Sequence, residues 1–97
     1  MIKNARKTRV VALDLRLHRF AFAVFEGAQL LDWGARKYAI DDGRVALIID
    51  RLIGPILSSF APSVAAIKQM PGHICSQTRY QIALQSFTTE FEKRSIE

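Results

Sequence analysis

The chain has 97 residues, which is enough for one domain and too few for two. Hydrophobic residues make up 49% of it, so a packed core is feasible and the composition argues against intrinsic disorder. No apolar run approaches the roughly 18 residues needed to cross a bilayer, and the charges of Asp14 and Arg16 exclude a signal-peptide core. The single cysteine, Cys75, cannot form an internal disulfide, so we expect a cytoplasmic protein without membrane contact.

The charge is strongly basic, with 14 Lys and Arg against 9 Asp and Glu, a net charge of +5 and a pI near 9.9. Six basic residues lie in the first nineteen positions: Lys3, Arg6, Lys7, Arg9, Arg16 and Arg19. A basic surplus attracts polyanions without sequence preference, although many proteins are basic for solubility alone. We interpret residues 1–8 as a basic arm of a single domain spanning 1–97.

Three strands are predicted first. Residues 10–15 are an apolar run typical of a strand buried on both faces. Residues 20–25 form a second strand, whose alternation places Phe20, Phe22 and Val24 on one face. Gly27 favours a tight turn, because glycine reaches positive φ at low cost, so residues 29–38 return as an antiparallel third strand.

A helix, a strand and a second helix follow. Asp41 or Asp42 can cap the first helix, which ends where Ala61 precedes Pro62. Its apolar positions keep helical spacing: Val45, Ile48, Ile49, Leu52, Ile53, Ile56, Leu57 and Phe60. Residues 64–67 read as a fourth strand, parallel to the first through a right-handed crossover. Residues 76–93 read as the second helix, so the order predicts an α/β fold with a mixed sheet.

Asp14 is the first candidate for chemistry. A carboxylate at the end of an otherwise apolar strand is costly to bury unless it has a cation or hydrogen-bond donors. Metal-dependent nucleases need such rigidly placed carboxylates to share two divalent ions. The alternative is an aspartate that caps a turn or pairs with Arg16 or Arg19.

Two stretches resemble the RuvC-type Holliday junction resolvases, of the ribonuclease H-like superfamily. The strand of residues 10–14 resembles the family's opening strand with its catalytic Asp. The Phe60-Ala61-Pro62 turn and the strand end at residues 66–69, Ala-Ile-Lys-Gln, resemble the family's Phe-x-Pro turn and Ala-Ile-Glu-Gln. The resemblance covers residues 9–92 and implies a ribonuclease H-like mixed sheet, truncated relative to the full fold.

The resemblance implies a metal site that this chain does not complete. Asp14 corresponds to the first metal-binding acid, and Lys68 falls where the family has a Glu. An ammonium repels the Mg²⁺ or Mn²⁺ that the family uses. Leu15 and Arg16 follow Asp14 in place of the family's Pro-Gly, Pro71 replaces a frequent aromatic, and the later acids are missing. We therefore expect no bound metal and no metal-dependent cleavage, with Lys68 lying beside Asp14.

The expected function is binding of nucleic acid, DNA by resemblance. The phosphate contacts predicted for it are basic side chains: Lys3, Arg6, Lys7, Arg16, Arg19 and Arg79. The alternative is a non-catalytic assembly module of the same fold. The resemblance implies a homodimer interface on the last helix, where apolar side chains would need a partner: Tyr80, Leu84, Phe87 and Phe91.

Three further interpretations stay open. An actin-like or sugar-kinase-like ATPase half begins with a similar strand and Asp, but no glycine-rich turn follows Asp14. The small nuclease-like family that trims ribosomal RNA precursors shares the opening hairpin. Trp33 and Tyr38 can stack a base or pack in a core, and packing is the more common role on a third strand.

Overall fold

A computed structural model describes residues 8–38, 44–70 and 78–97. The strands are β1 (Arg9–Leu15), β2 (Arg19–Glu26), β3 (Gln29–Lys37) and β4 (Val64–Lys68), and the helices are α1 (Val45–Phe60) and α2 (Thr78–Lys93). This is the predicted element order, and each strand boundary differs from its prediction by one residue at most.

The four strands form one mixed sheet in the order β3-β2-β1-β4. β1 pairs antiparallel with β2 and parallel with β4, and β2 pairs antiparallel with β3. The turn between β2 and β3 contains Gly27 at a φ of 58°. The parallel register places Asp14 opposite Lys68, at the carboxyl ends of the two central strands.

One sheet face, which we call the inner face, carries the core. Alternate residues of β1 and β2 point to it and are buried: Val11, Leu13, Leu15, Phe20, Phe22 and Val24. Both α1 and α2 contribute buried side chains to the same cluster. The other face, the outer face, carries Val10, Ala12 and Asp14, which are only half-buried. The prediction that β1 is buried on both faces is therefore wrong, because both described helices pack on one side.

The predicted end of α1 is confirmed, whereas its predicted capping residues lie outside the described part of the chain. The helix ends at Ala61, which has a φ of 45° and donates its N–H to the carbonyl of Leu57 at 2.8 Å, just before Pro62. Arg44 occupies the N-cap position without a side-chain hydrogen bond. Asp41 and Asp42, predicted as capping residues, lie outside the described residues.

α2 packs against the sheet through aromatic side chains. The rings of Phe87 and Phe20 meet edge to face with centroids 5.0 Å apart. Beyond the helix, Glu97 pairs with the outer edge of β4, donating its N–H to Ser63 and accepting from Ala65, both at 3.0 Å. In the described ranges, neither helix is long and apolar enough to cross a membrane.

Candidate nucleic-acid interface

Asp14 and Lys68 lie side by side, as predicted from the sequence. They are directly opposed on adjacent parallel strands, and both line an outer-face groove of about 310 Å³ whose floor is formed by Ala12, Ala21 and Ala23. Asp14 is half-buried and Lys68 is exposed. The strand order implied by the resemblance is therefore the order in the fold.

The partner of Asp14 is Arg16 rather than Lys68. The Arg16 guanidinium donates from Nε to Oδ1 at 3.1 Å and from Nη2 to Oδ2 at 3.4 Å, which is a two-pronged contact. The side chains are 45% and 38% exposed, so the pair contributes at most about 1 kcal/mol. Within the described ranges, no carboxylate oxygen lies within 4.0 Å of the Lys68 ammonium. The alternative pairing of Asp14 with Arg16 is confirmed.

A buried tyrosine ties the ends of β1 and β4 together. The Tyr80 hydroxyl donates to the carbonyl of Leu15 at 3.2 Å and accepts the N–H of Met70 at 3.0 Å. Leu15 follows Asp14 and Met70 comes two residues after Lys68, so one fully buried side chain fixes both strand ends. The spacing of Asp14 and Lys68 is thereby set from beneath the sheet.

A second tyrosine holds the hairpin that carries Arg16. The Tyr38 hydroxyl donates to the carbonyl of Arg16 at 2.9 Å, and the backbone N–H of Tyr38 donates to the carbonyl of His18 at 2.9 Å. Burial, and to a lesser extent Tyr80 nearby, raises the pKa of Tyr38 to about 12. Tyr38 is 6% exposed, so it packs in the core and cannot stack a base.

The predicted phosphate-contacting residues fall into three groups. Arg16 and Arg19 line a second outer-face groove of about 210 Å³ together with Asp14. Arg79 lies in α2, and its side chain is outside the described part of the structure. The remaining basic residues predicted for this role lie outside the described residues: Lys3, Arg6 and Lys7. Pro71, where the family often has an aromatic, is also outside them.

The predicted dimer-interface residues are mostly inside the core. Tyr80 and Phe87 are fully buried, Phe91 is 5% exposed, and Leu84 is partly buried against the same cluster. The expectation that this stripe leaves apolar surface for a partner is wrong for the three aromatics, because they are buried in the core cluster. A homodimer stays a prediction without these contacts to support it.

The described donor set does not fit a divalent cation. No group of three or more acidic, histidine or cysteine side chains converges among residues 8–38, 44–70 and 78–97. Asp14 is engaged by a guanidinium and faces an ammonium on the neighbouring strand. A guanidinium paired with the carboxylate, and a lysine on the neighbouring strand, favour an anion over a divalent cation.

Sequence reasoning missed three contributors to this region. The Tyr80 hydroxyl bonds a residue 65 positions away in the chain, and the Tyr38 hydroxyl bonds one 22 positions away. No local sequence pattern predicts contacts of this range. The third contributor, Lys37, lies opposite Arg19 across β2 and β3. Its position follows from strand alternation, since Trp33, Ala35 and Lys37 share a face.

The element order, the mixed sheet and the paired ends of β1 and β4 define a ribonuclease H-like fold of the RuvC type. The chain superposes on the solved structure of Thermus thermophilus RuvC with a TM-score of 0.68 and 18% sequence identity. It superposes on Thermus thermophilus RuvC in complex with a Holliday junction substrate with a TM-score of 0.70 and 19% identity. Each alignment covers 92% of this chain and 60% of the RuvC chain, so this chain spans less than two thirds of either structure. No protein-family profile matches the sequence, and no curated protein matches it either.

Proposed function

We propose that this chain binds nucleic acid, and DNA in particular, through the outer face at the carboxyl ends of β1 and β4. The observation that carries the proposal is the register that sets Lys68 opposite Asp14 in a RuvC-type fold. One of the similar structures holds a Holliday junction substrate, which supports a branched DNA as the first ligand to test.

The charge around the strand ends supports binding of phosphate. Lys68, Arg19 and Lys37 are exposed, and none of them pairs with a carboxylate in the described residues. Asp14, the carboxylate between them, is neutralised by Arg16. A row of unpaired cations releases counterions when it meets phosphates, which is the main source of affinity independent of sequence.

We propose further that the chain does not cut DNA by metal-dependent hydrolysis. Two-metal cleavage requires carboxylates to hold both ions, and the position that the resemblance assigns to the second acid carries Lys68. The ammonium supplies positive charge directly to a phosphate in this arrangement. The cytoplasm is the proposed compartment, because a single cysteine cannot form an internal disulfide and the chain therefore suits a reducing environment.

Titration of a labelled four-way DNA junction in EDTA tests the proposal, with fluorescence anisotropy measured at several salt concentrations. We expect affinity to fall steeply with salt, and we expect Lys68→Ala to reduce the slope of log affinity against log salt by about 1. Arg51→Ala is the matched control, because Arg51 is an exposed cation on α1, away from the outer face.

Two results would contradict the proposal. The first is an affinity that does not change with salt, since phosphate contacts then contribute nothing. The second is an equal effect of Lys68→Ala and Arg51→Ala, because net charge alone would then explain binding. Cleavage of the junction on addition of Mg²⁺ or Mn²⁺ would overturn the proposal that the chain does not cut DNA.

A further inference from the structure

The outer face is largely an alanine floor, and its most exposed large side chain among the described residues is an indole. The residues that share this face on β1, β2, β3 and β4 are mostly small: Ala12, Ala21, Ala23, Ala35 and Ala66. Because alanine projects only a methyl group, the surface is shallow and flat. Trp33 lies opposite Ala23 on this face and is 70% exposed. Neither described helix packs against it, since both pack on the inner face.

The exposure of Trp33 is unusual for its position. An indole on a strand normally buries most of its area. A single exposed apolar side chain is common on protein surfaces, but a large one that lies among other exposed apolar side chains is not. Trp33 instead shares the outer face with two other exposed apolar residues, Leu30 and Val64. A flat apolar floor with an open indole is suited to planar aromatic groups, which stack on it.

A cluster of like charges lies at the other end of the same face. Arg19 and Lys37 are directly opposed across β2 and β3, an arrangement that destabilises a sheet. Neither side chain has an ion-pair partner among the residues that the structure describes. Lys68 adds a third unpaired cation next to the alanine groove. Bound phosphates would remove this repulsion.

The spacing of the aromatic and cationic ends matches a short single strand. Trp33 and Lys37 are four residues apart on β3, which places them about 13 Å apart along the strand. That span is sufficient for a few nucleotides with phosphates at one end and a base at the other. A duplex keeps its bases stacked inside, so only an unpaired nucleotide can present a base to the indole.

We propose that the outer face binds single-stranded nucleic acid, with a base stacked on Trp33 and phosphates held by Arg19, Lys37 and Lys68. This inference rests on the proposed nucleic-acid binding and adds the strand state and the aromatic contact. The stacking surface is tolerant of base identity, so little sequence preference is expected.

Trp33 is the one tryptophan of the chain, so its fluorescence reports on this surface directly. We expect oligothymidylate to quench the emission with saturation, and oligouridylate to show whether RNA is bound as well. Trp33→Ala, measured by anisotropy of labelled oligonucleotide, is expected to weaken binding by about 5- to 150-fold. Trp33→Phe is expected to restore part of the loss, because a phenyl ring still stacks.

The control is Leu47→Ala, which removes an apolar side chain of 50% exposure from α1 and is expected to leave binding unchanged. Circular dichroism confirms that each variant is folded. Unchanged Trp33 emission on adding single strands, or equal affinity of Trp33→Ala and the parent, overturns the inference. A blue shift that depends on protein concentration alone, with dimers seen by light scattering, also overturns it, because a second copy then covers the face.

The same titrations separate this inference from the proposed function. If the four-way junction binds in a Lys68-dependent way while single strands leave Trp33 unchanged, the inference fails and the proposed function stands. If neither junction, duplex nor single strand binds, both fail.

Discussion

The pairing of Asp14 with Arg16 gives a single carboxylate an unexpected role. Among the described residues, Asp14 is the acid that lines the cation-rich strand ends, where it offsets part of the charge of Arg16. Metal-dependent nucleases use carboxylates to hold their ions. At the proposed phosphate site Asp14 would instead oppose the ligand, so we expect its removal to strengthen binding.

Asp14→Asn is therefore expected to strengthen DNA binding by roughly two- to fivefold, the worth of one exposed ionic interaction. Anisotropy at fixed moderate salt measures the change. Asp32→Asn is the matched control, because Asp32 is an exposed carboxylate on β3 opposite Val24, a residue of the inner face. Weaker binding by Asp14→Asn would show that the carboxylate contributes to the ligand site.

The buried phenol of Tyr38 makes the stability of the fold depend on alkaline pH. Its pKa is raised to about 12 because the buried phenol resists ionisation. Because its pKa is raised, the folded state holds the Tyr38 proton more tightly than the unfolded state does. The contribution of the protonated phenol to the free energy of unfolding is therefore complete below pH 10 and is lost as the pH rises from about 10 to 12.

Tyr38→Phe is expected to cost about 1 kcal/mol at neutral pH, through loss of the hydrogen bond to the carbonyl of Arg16. It is also expected to reduce the alkaline loss of stability between pH 10 and 12. Urea unfolding at pH 7 and at pH 11 measures both effects. An unchanged alkaline loss in the variant would contradict the assignment.

At the scale of elements, the sequence predicted the strands and their pairing well, and the face that the helices cover less well. Period-two alternation in β2 correctly separated Phe20, Phe22 and Val24 from the opposite face. Alternation cannot show which face a helix will cover, so the half-buried state of Ala12 was missed. The stripe on α2 was predicted as apolar, but its burial against Phe20 depends on packing that no local pattern records.

The end of α2 carries a buried acid that anchors it. Glu90 is 4% exposed and accepts hydrogen bonds from Lys93 at 3.1 Å and Arg94 at 2.7 Å. Burial by itself would raise the pKa of Glu90, but the hydrogen bonds that it accepts from Arg94 and Lys93 outweigh burial and lower that pKa. A lowered pKa gives stability that is present above the unfolded-state pKa and is lost as the pH falls.

Glu90→Gln is expected to reduce the free energy of unfolding by about 1–3 kcal/mol at pH 7, because charged hydrogen bonds become neutral ones. The difference from the parent is expected to shrink as the pH falls below the usual glutamate range. Glu92→Gln, on the exposed side of the same helix, is the control. A constant difference down to pH 3 would mean that the ionised form of Glu90 is not what stabilises the helix.

At the scale of the molecule, the order of motifs predicted the fold where single motifs did not. The Phe60-Ala61-Pro62 turn and the following strand are short signals, yet they place Lys68 next to Asp14 once β4 joins β1. The open indole on the outer face was not predicted, because exposure depends on which elements cover a sheet. The fold is shared with RuvC structures at 18% and 19% identity, which is too low to transfer an activity.

The most direct test of the account measures junction affinity for the parent and for Lys68→Glu, each in EDTA and in Mn²⁺. If the strand ends bind phosphate through the ammonium, the parent binds equally well with and without the metal. Lys68→Glu then loses about tenfold or more in EDTA, because the substitution exchanges attraction for repulsion. A parent that needs Mn²⁺ to bind, or a Lys68→Glu variant that binds as tightly as the parent in EDTA, would contradict it.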